Sequence, residues 1–187
     1  MVIRKSQERN TGAALVEAAT AEFAAHGFAG TDSNKIARAA GFAPQTFYRW
    51  FRDKTEIFIA VYRAWEEAER RQLSELLARG VSARRLAEAI VAHHREHLVF
   101  RRSLRLLAVQ DDTVRRARAE SRLRQIEWIR ASRAQPAPKA SEVAVVLLQI
   151  ERLADAIAEG ELSDMELSET AAHKELARLI DGLGGTR

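Results

Sequence analysis

"TDSNKIARAAGFAPQTFYRWFRDKTEIF", residues 31–58, is the stretch whose reading decides the fold. Thr31 or Asp32 offers a helix N-cap, Ile36 and Ala40 share one face, and Gly41 is a natural stop, so the spacing predicts a helix of about two turns. Pro44 suits the first position of a second short helix, where its missing N–H costs nothing. Asp53 followed by Glu56 has the form of a capping box that starts a third helix. Two short helices joined by a turn containing glycine, after a longer first helix, make the pattern of a helix-turn-helix unit.

The second short helix is unusual in composition. Phe42, Phe47, Tyr48, Trp50 and Phe51 are five of the twelve aromatic residues in the chain, and they alternate with Arg49, Arg52 and Lys54, so the face each one occupies decides its role. At about 100° per residue, Phe47 and Phe51 fall together on one side and Gln45 and Arg49 on the other. Tyr48 and Trp50 lie on the two borders, with Thr46 between the outer face and Trp50. The phenylalanines, with Phe42, are candidates for core. Rings with an apolar body and a hydrogen-bonding tip suit the phosphate walls of a major groove. Gln and Arg on the outer face carry the chemistry that pairs with adenine and guanine edges.

At these positions the chain resembles the TetR family of bacterial transcriptional regulators. Thr31, Ile36, Ala37, Ala40, Gly41, Thr46, Tyr48, Phe51, Lys54 and Glu56 match the family pattern in register. The resemblance implies that Thr31, Tyr48 and Lys54 contact phosphates and that Pro44, Gln45, Thr46 and Arg49 meet base edges of a double-stranded DNA operator; Trp50 joins them as a rim residue. Three positions depart from the pattern. Phe42 replaces a small aliphatic residue, Asp32 replaces a second threonine, and Ala43 stands where the family often has a serine cap, a loss of ~1 kcal/mol.

Composition and charge agree with a globular, helical protein. The chain has 187 residues, 47% of them hydrophobic and 30% charged, enough to bury a substantial core. It has no cysteine, which excludes disulfide frameworks, thiolate metal sites and cysteine nucleophiles. Residues 1–54 carry 8 basic and 5 acidic side chains, residues 101–133 carry 10 and 4, and residues 134–187 carry 5 and 10. The first two segments are therefore basic and the last is acidic. The basic start meets no apolar signal-peptide core, and the longest apolar run, Val143 to Leu148, is too short to span a bilayer. A cytoplasmic protein without membrane attachment is expected.

Leu15, Ala19 and Phe23 mark a first helix over residues 6–26 ending at Gly27. Long helices are expected at 54–79, 83–98, 99–110, 112–134, 141–159 and 168–183, with the Pro-containing segment 134–141 as a loop. The fold class that follows is all-α: a helix-turn-helix DNA-binding domain over 1–53 and a helical effector-binding and dimerisation domain over 54–187.

In that second domain the apolar stripes Val143, Val146, Ile150, Leu153, Ile157 and Leu176, Leu179, Leu183 suit a dimer interface or the packing of the same helices within one chain. The resemblance implies a homodimer built on the last two long helices. His93 and His97 share a stripe with Leu86 and Ile90, while Ser121, Gln125 and Trp128 share another. Polar groups in such stripes suit either a small-molecule effector pocket of unknown ligand or border positions with local hydrogen bonds. The His93/His97 spacing is also that of a metal pair, but no third ligand stands out, so neither metal nor cofactor is expected. No Glu-x-x-His pair, phosphate loop or nucleophile motif supports an enzyme. The expected function is a sequence-specific DNA-binding regulator, a repressor binding a palindromic operator as a dimer and released by an effector. An all-helical enzyme and a nonspecific DNA-binding protein are the alternatives.

Overall fold

The computed structural model describes residues 2–132 and 138–183, and all regular structure among them is helical. The helices are α1 (Val2–His26), α2 (Ser33–Ala39), α3 (Pro44–Tyr48), α4 (Lys54–Ala78), α5 (Ala83–Glu96), α6 (Leu98–Gln110), α7 (Asp112–Ala131), α8 (Ala140–Glu159), α9 (Glu161–Asp164) and α10 (Thr170–Gly182). The expected helices are all present. α9 has no counterpart in the sequence reading, because four residues are too few to show a period. Residues 134–137 of the expected loop lie outside the described residues.

The chain divides into two packed units, Met1–Glu66 with Val99–Ala117, and Glu67–Leu98 with Arg118–Arg187. In the first unit, the α1 stripe Leu15, Ala19 and Phe23 is fully buried against Ile36 and Ala37 of α2, Phe47 of α3, and Ile57, Phe58 and Val61 of α4. Phe58 is the hub of an aromatic cluster. It meets Phe23 edge-on at 5.1 Å, Phe28 at 5.3 Å and Phe100 of α6 at 4.7 Å between ring centroids, within the range where aromatic pairs add to simple burial.

In the second unit, α5, α8 and α10 pack on one another. Leu86, Ala87 and Val91 face Ile150, Ala154 and Ile157 and also Ala172, Leu176, Leu179 and Ile180. The stripes offered as a dimer interface are thus already engaged inside one chain. Val143, Ile150, Ile157, Leu176 and Leu179 are buried, and Val146, Leu153 and Leu183 are half-buried. A smaller cluster joins Ile126 and Ile129 of α7 to Val143, with Trp128 packed against it.

Two glycines in the first unit are required for different reasons. Gly41, between α2 and α3, has φ +78°, a left-handed conformation that costs any other residue about 1–2 kcal/mol, yet open space surrounds it. At Gly30 a Cβ would lie 2.3 Å from the backbone oxygen of His26. Gly41→Ala should therefore cost about 1 kcal/mol, and Gly30→Ala should fall near the top of the roughly 0.5–3 kcal/mol range of single substitutions. Urea denaturation of the two variants checks that ranking.

Candidate nucleic-acid interface

α2 and α3 owe their placement to a few specific contacts. Asp32 caps α2, its Oδ1 accepting from the Lys35 amide at 2.8 Å, and this hydrogen bond holds its carboxyl below the usual carboxylate range. α3 has no such cap. Ala43 makes no side-chain hydrogen bond, and Pro44 occupies the first turn, which leaves tertiary contacts to hold the helix. Phe47 is fully buried, while Phe42 and Phe51 pack half-buried at the edge of the same core. The Tyr48 and Ser33 hydroxyls share a 2.8 Å hydrogen bond that ties α3 to α2. The Trp50 ring lies against α1, so close that a Cβ on Gly12 would be 2.9 Å from it.

The outer side of α3 is open. Gln45 and Arg49 are exposed, Tyr48 is 57% and Trp50 37% exposed, and Pro44 and Thr46 are half-buried. This is the distribution of faces expected from the helical period, with Arg49 itself serving as the C-cap of α3. Lys35 and Arg38 of α2 and Arg52 are also exposed, so the surface flanking α3 carries further positive charge.

Thr31 and Lys54 are held differently from the rest. Thr31 is 3% exposed, and its hydroxyl donates to the Glu22 carboxylate at 2.7 Å. The Lys54 ammonium donates to the carbonyl oxygens of Phe28 at 2.7 Å and Thr31 at 2.9 Å, and sits 4.1 Å from the centre of the Phe28 ring. Burial lowers its pKa, partly opposed by the negative charge of Asp32. Two of its three N–H donors thus clamp the segment between α1 and α2, which leaves one for an external acceptor. The start of α4 is capped by Asp53, whose Oδ1 accepts from the Glu56 amide at 2.8 Å; Glu56 reaches back to the Arg52 amide at 2.6 Å, one residue earlier than in the standard box. Sequence reading passed over Glu22 and Ser33, the partners of Thr31 and Tyr48, because nothing in local spacing marks them.

Residues 15–61 match the sequence profile of the bacterial regulatory proteins, tetR family. Over that stretch the chain is similar to the N-terminal domain of that family. The open face of α3 lies within the matched residues. The whole chain is similar in fold to solved structures. One is a protein from Rhodococcus sp. assigned to the TetR-family transcriptional regulators, with 22% identity, TM-score 0.67, and 92% of this chain and 97% of that one covered. A second, with the same assignment, comes from Mesorhizobium loti MAFF303099, with 19% identity, TM-score 0.67, and 94% and 95% covered. A third is the fatty acid degradation regulator FadR from Bacillus halodurans, with 18% identity, TM-score 0.57, and 90% and 93% covered. At these identities the likeness is one of fold. Among the described residues, no helix is long and apolar enough to cross a membrane.

In the second unit, the residues considered for an effector separate into two groups. His93 is 8% exposed, and its ring meets that of the half-buried His97 at 4.6 Å on α5. On α7, Ser121 is fully buried and Gln125 and Trp128 are half-buried, with Trp128 belonging to the α7–α8 cluster. A deeply buried ionisable pair was not anticipated: His94 Nδ1 lies 2.9 Å from Asp155 Oδ1, both nearly inaccessible, with Glu69 3.9 Å from the other ring nitrogen. The signal was an acid inside the apolar run "LADAIA". From the arginine-rich segment, Arg118 and Arg122 both bind Glu151 of α8, the latter at 2.6 Å. Burial pushes the Glu151 carboxyl up, but the two guanidiniums outweigh it and hold it below the usual range.

Because Lys54 holds two carbonyls, Lys54→Met should keep the aliphatic stem over Phe28 and lose both hydrogen bonds. A destabilisation of about 1–3 kcal/mol, read by thermal denaturation, is expected; an unchanged melting temperature would mean that the clamp contributes nothing.

Proposed function

We propose that the chain is a repressor that reads a palindromic DNA operator as a homodimer and releases it when a small molecule binds its helical second domain. The observation that carries the reading is the face pattern of α3. Phe47 is locked in the core while Gln45 and Arg49 stand exposed on the opposite side. In this reading residues 1–53 bind DNA and 54–187 carry effector binding and dimerisation. Gln45 and Arg49 read bases in the major groove, helped by Pro44 and Thr46, while Tyr48, Trp50 and Lys54 meet the phosphate walls. Thr31 joins them only by exchanging its Glu22 partner for a phosphate.

One five-residue recognition helix makes few contacts, whereas two related by a twofold axis read both halves of a palindrome. The stripes buried within the chain leave Val145 and Leu148 on the outward side of α8, 56% and 46% exposed, and we assign the contact with a second copy to that side of α8 together with α10. An effector bound near His93 and His97 or near Ser121, Gln125 and Trp128 would favour a dimer in which the two recognition helices no longer match successive grooves. α4, which contributes residues to both packed units, is the element that carries such a shift.

Selection of binding sites from random DNA at near-physiological salt tests the reading. A palindromic consensus is expected, and Arg49→Ala should cost about 1–3 kcal/mol and relax preference at one position per half-site. Equal weakening on every sequence would make Arg49 a phosphate contact, and steep salt dependence without any consensus would favour a nonspecific DNA-binding protein. For the dimer, Val145→Glu with Leu148→Glu should yield a folded monomer by sedimentation and circular dichroism, and wild-type protein that is already monomeric at micromolar concentration removes the dimer.

A further inference from the structure

Three donors of chemistry suited to a metal converge at the C-terminal end of α5. His93, Glu96 and His97 offer two imidazole nitrogens and a carboxylate oxygen, all within 4.8 Å of one another. The spacing explains the convergence. Residues three and four apart lie on one face of a helix, so Glu96 and His97 both come beside His93, and the two rings already meet at 4.6 Å. We propose that these three side chains form a binding site for a divalent transition metal of the zinc class.

The positive groups beside the site are engaged elsewhere. His97 is the C-cap residue of α5 and α6 starts at Leu98 directly after it, so opposite ends of two helix dipoles meet there and largely cancel. The nearby positive charge of Arg95 is turned to Glu169, 3.0 Å away, and His94 is turned to Asp155. Two imidazoles and one carboxylate suit zinc, cobalt or nickel, whereas the absence of cysteine removes the ligands that would select copper(I). Small rotations about the side-chain bonds bring a 4.8 Å spread of donors to the roughly 2 Å bond lengths of zinc. His93 is nearly buried, His97 half-buried and Glu96 exposed, so one side of the site is open and water completes the coordination. The third ligand that the sequence reading lacked is Glu96, hidden because it lies between the two histidines in the same helical turn.

The site shares His93 and His97 with the proposed effector lining but stands on donor geometry alone. A protein that selects no operator yet binds metal here would refute the repressor and leave this site intact. The test uses the untagged full chain, stripped with chelator and titrated with cobalt(II) while its visible d–d absorption is followed. Saturation at one cobalt per chain, reversed by zinc, is expected. His97→Ala and Glu96→Gln should each weaken binding at least about 10-fold, as even outer-shell changes often do, with circular dichroism showing that both remain folded. His173→Ala, which removes an imidazole elsewhere in the chain, should leave the titration unchanged. No saturable absorption in the wild type overturns the proposal, as does wild-type affinity in both His97→Ala and Glu96→Gln, or loss of binding in His173→Ala.

Discussion

The surface proposed to read DNA depends on a helix that cannot hold itself. α3 has five residues and no side-chain cap, well below the length at which an isolated helix forms in water. Its direction is fixed from outside: Phe47 is sunk among Leu15, Ile36 and Phe58, Tyr48 is hydrogen-bonded to Ser33, and Trp50 lies against the Gly12 backbone. The same three contacts that compensate for the missing cap at Ala43 also decide which way Gln45 and Arg49 point. Stability and the proposed readout are therefore one problem at this site, because a loss of packing under α3 tilts the side chains above it.

The face assignment of α3 was legible in the sequence because it depends only on the helical period, which residues 44–51 display clearly. The intramolecular contacts of Thr31 and Lys54 were not. Their partners lie 9, 23 and 26 residues away in the chain, and no local pattern encodes which distant carbonyl an ammonium will meet. The family resemblance implies a phosphate contact for Lys54, and the structure adds a clamp on the α1–α2 segment that the motif does not describe.

The helices beyond residue 60 were legible as elements but not as partners. Periodic apolar residues say that a face is buried and are silent on what buries it. Val143, Ile150 and Ile157 satisfied that pattern equally as a subunit interface and as core, and within one chain they pack as core. Polar residues elsewhere on the same helix are tied to particular partners, which the sequence does not name. Asp155 interrupts its apolar run to meet His94, and Glu151 sits where two arginines of α7 reach it.

The His94–Asp155 contact also sets how the second unit can move. Both side chains are almost wholly out of water, so separating them leaves a buried polar group without its counterpart, a loss of about 1–3 kcal/mol. A slip of α8 by one turn along α5 would carry Asp155 about 5.4 Å away, far outside hydrogen-bond reach. Apolar surfaces tolerate sliding, because leucine packs nearly as well on one turn as on the next; a buried polar contact does not. α5 and α8 are thus keyed to a single register, and any rearrangement of this unit has to carry the two helices together as one body.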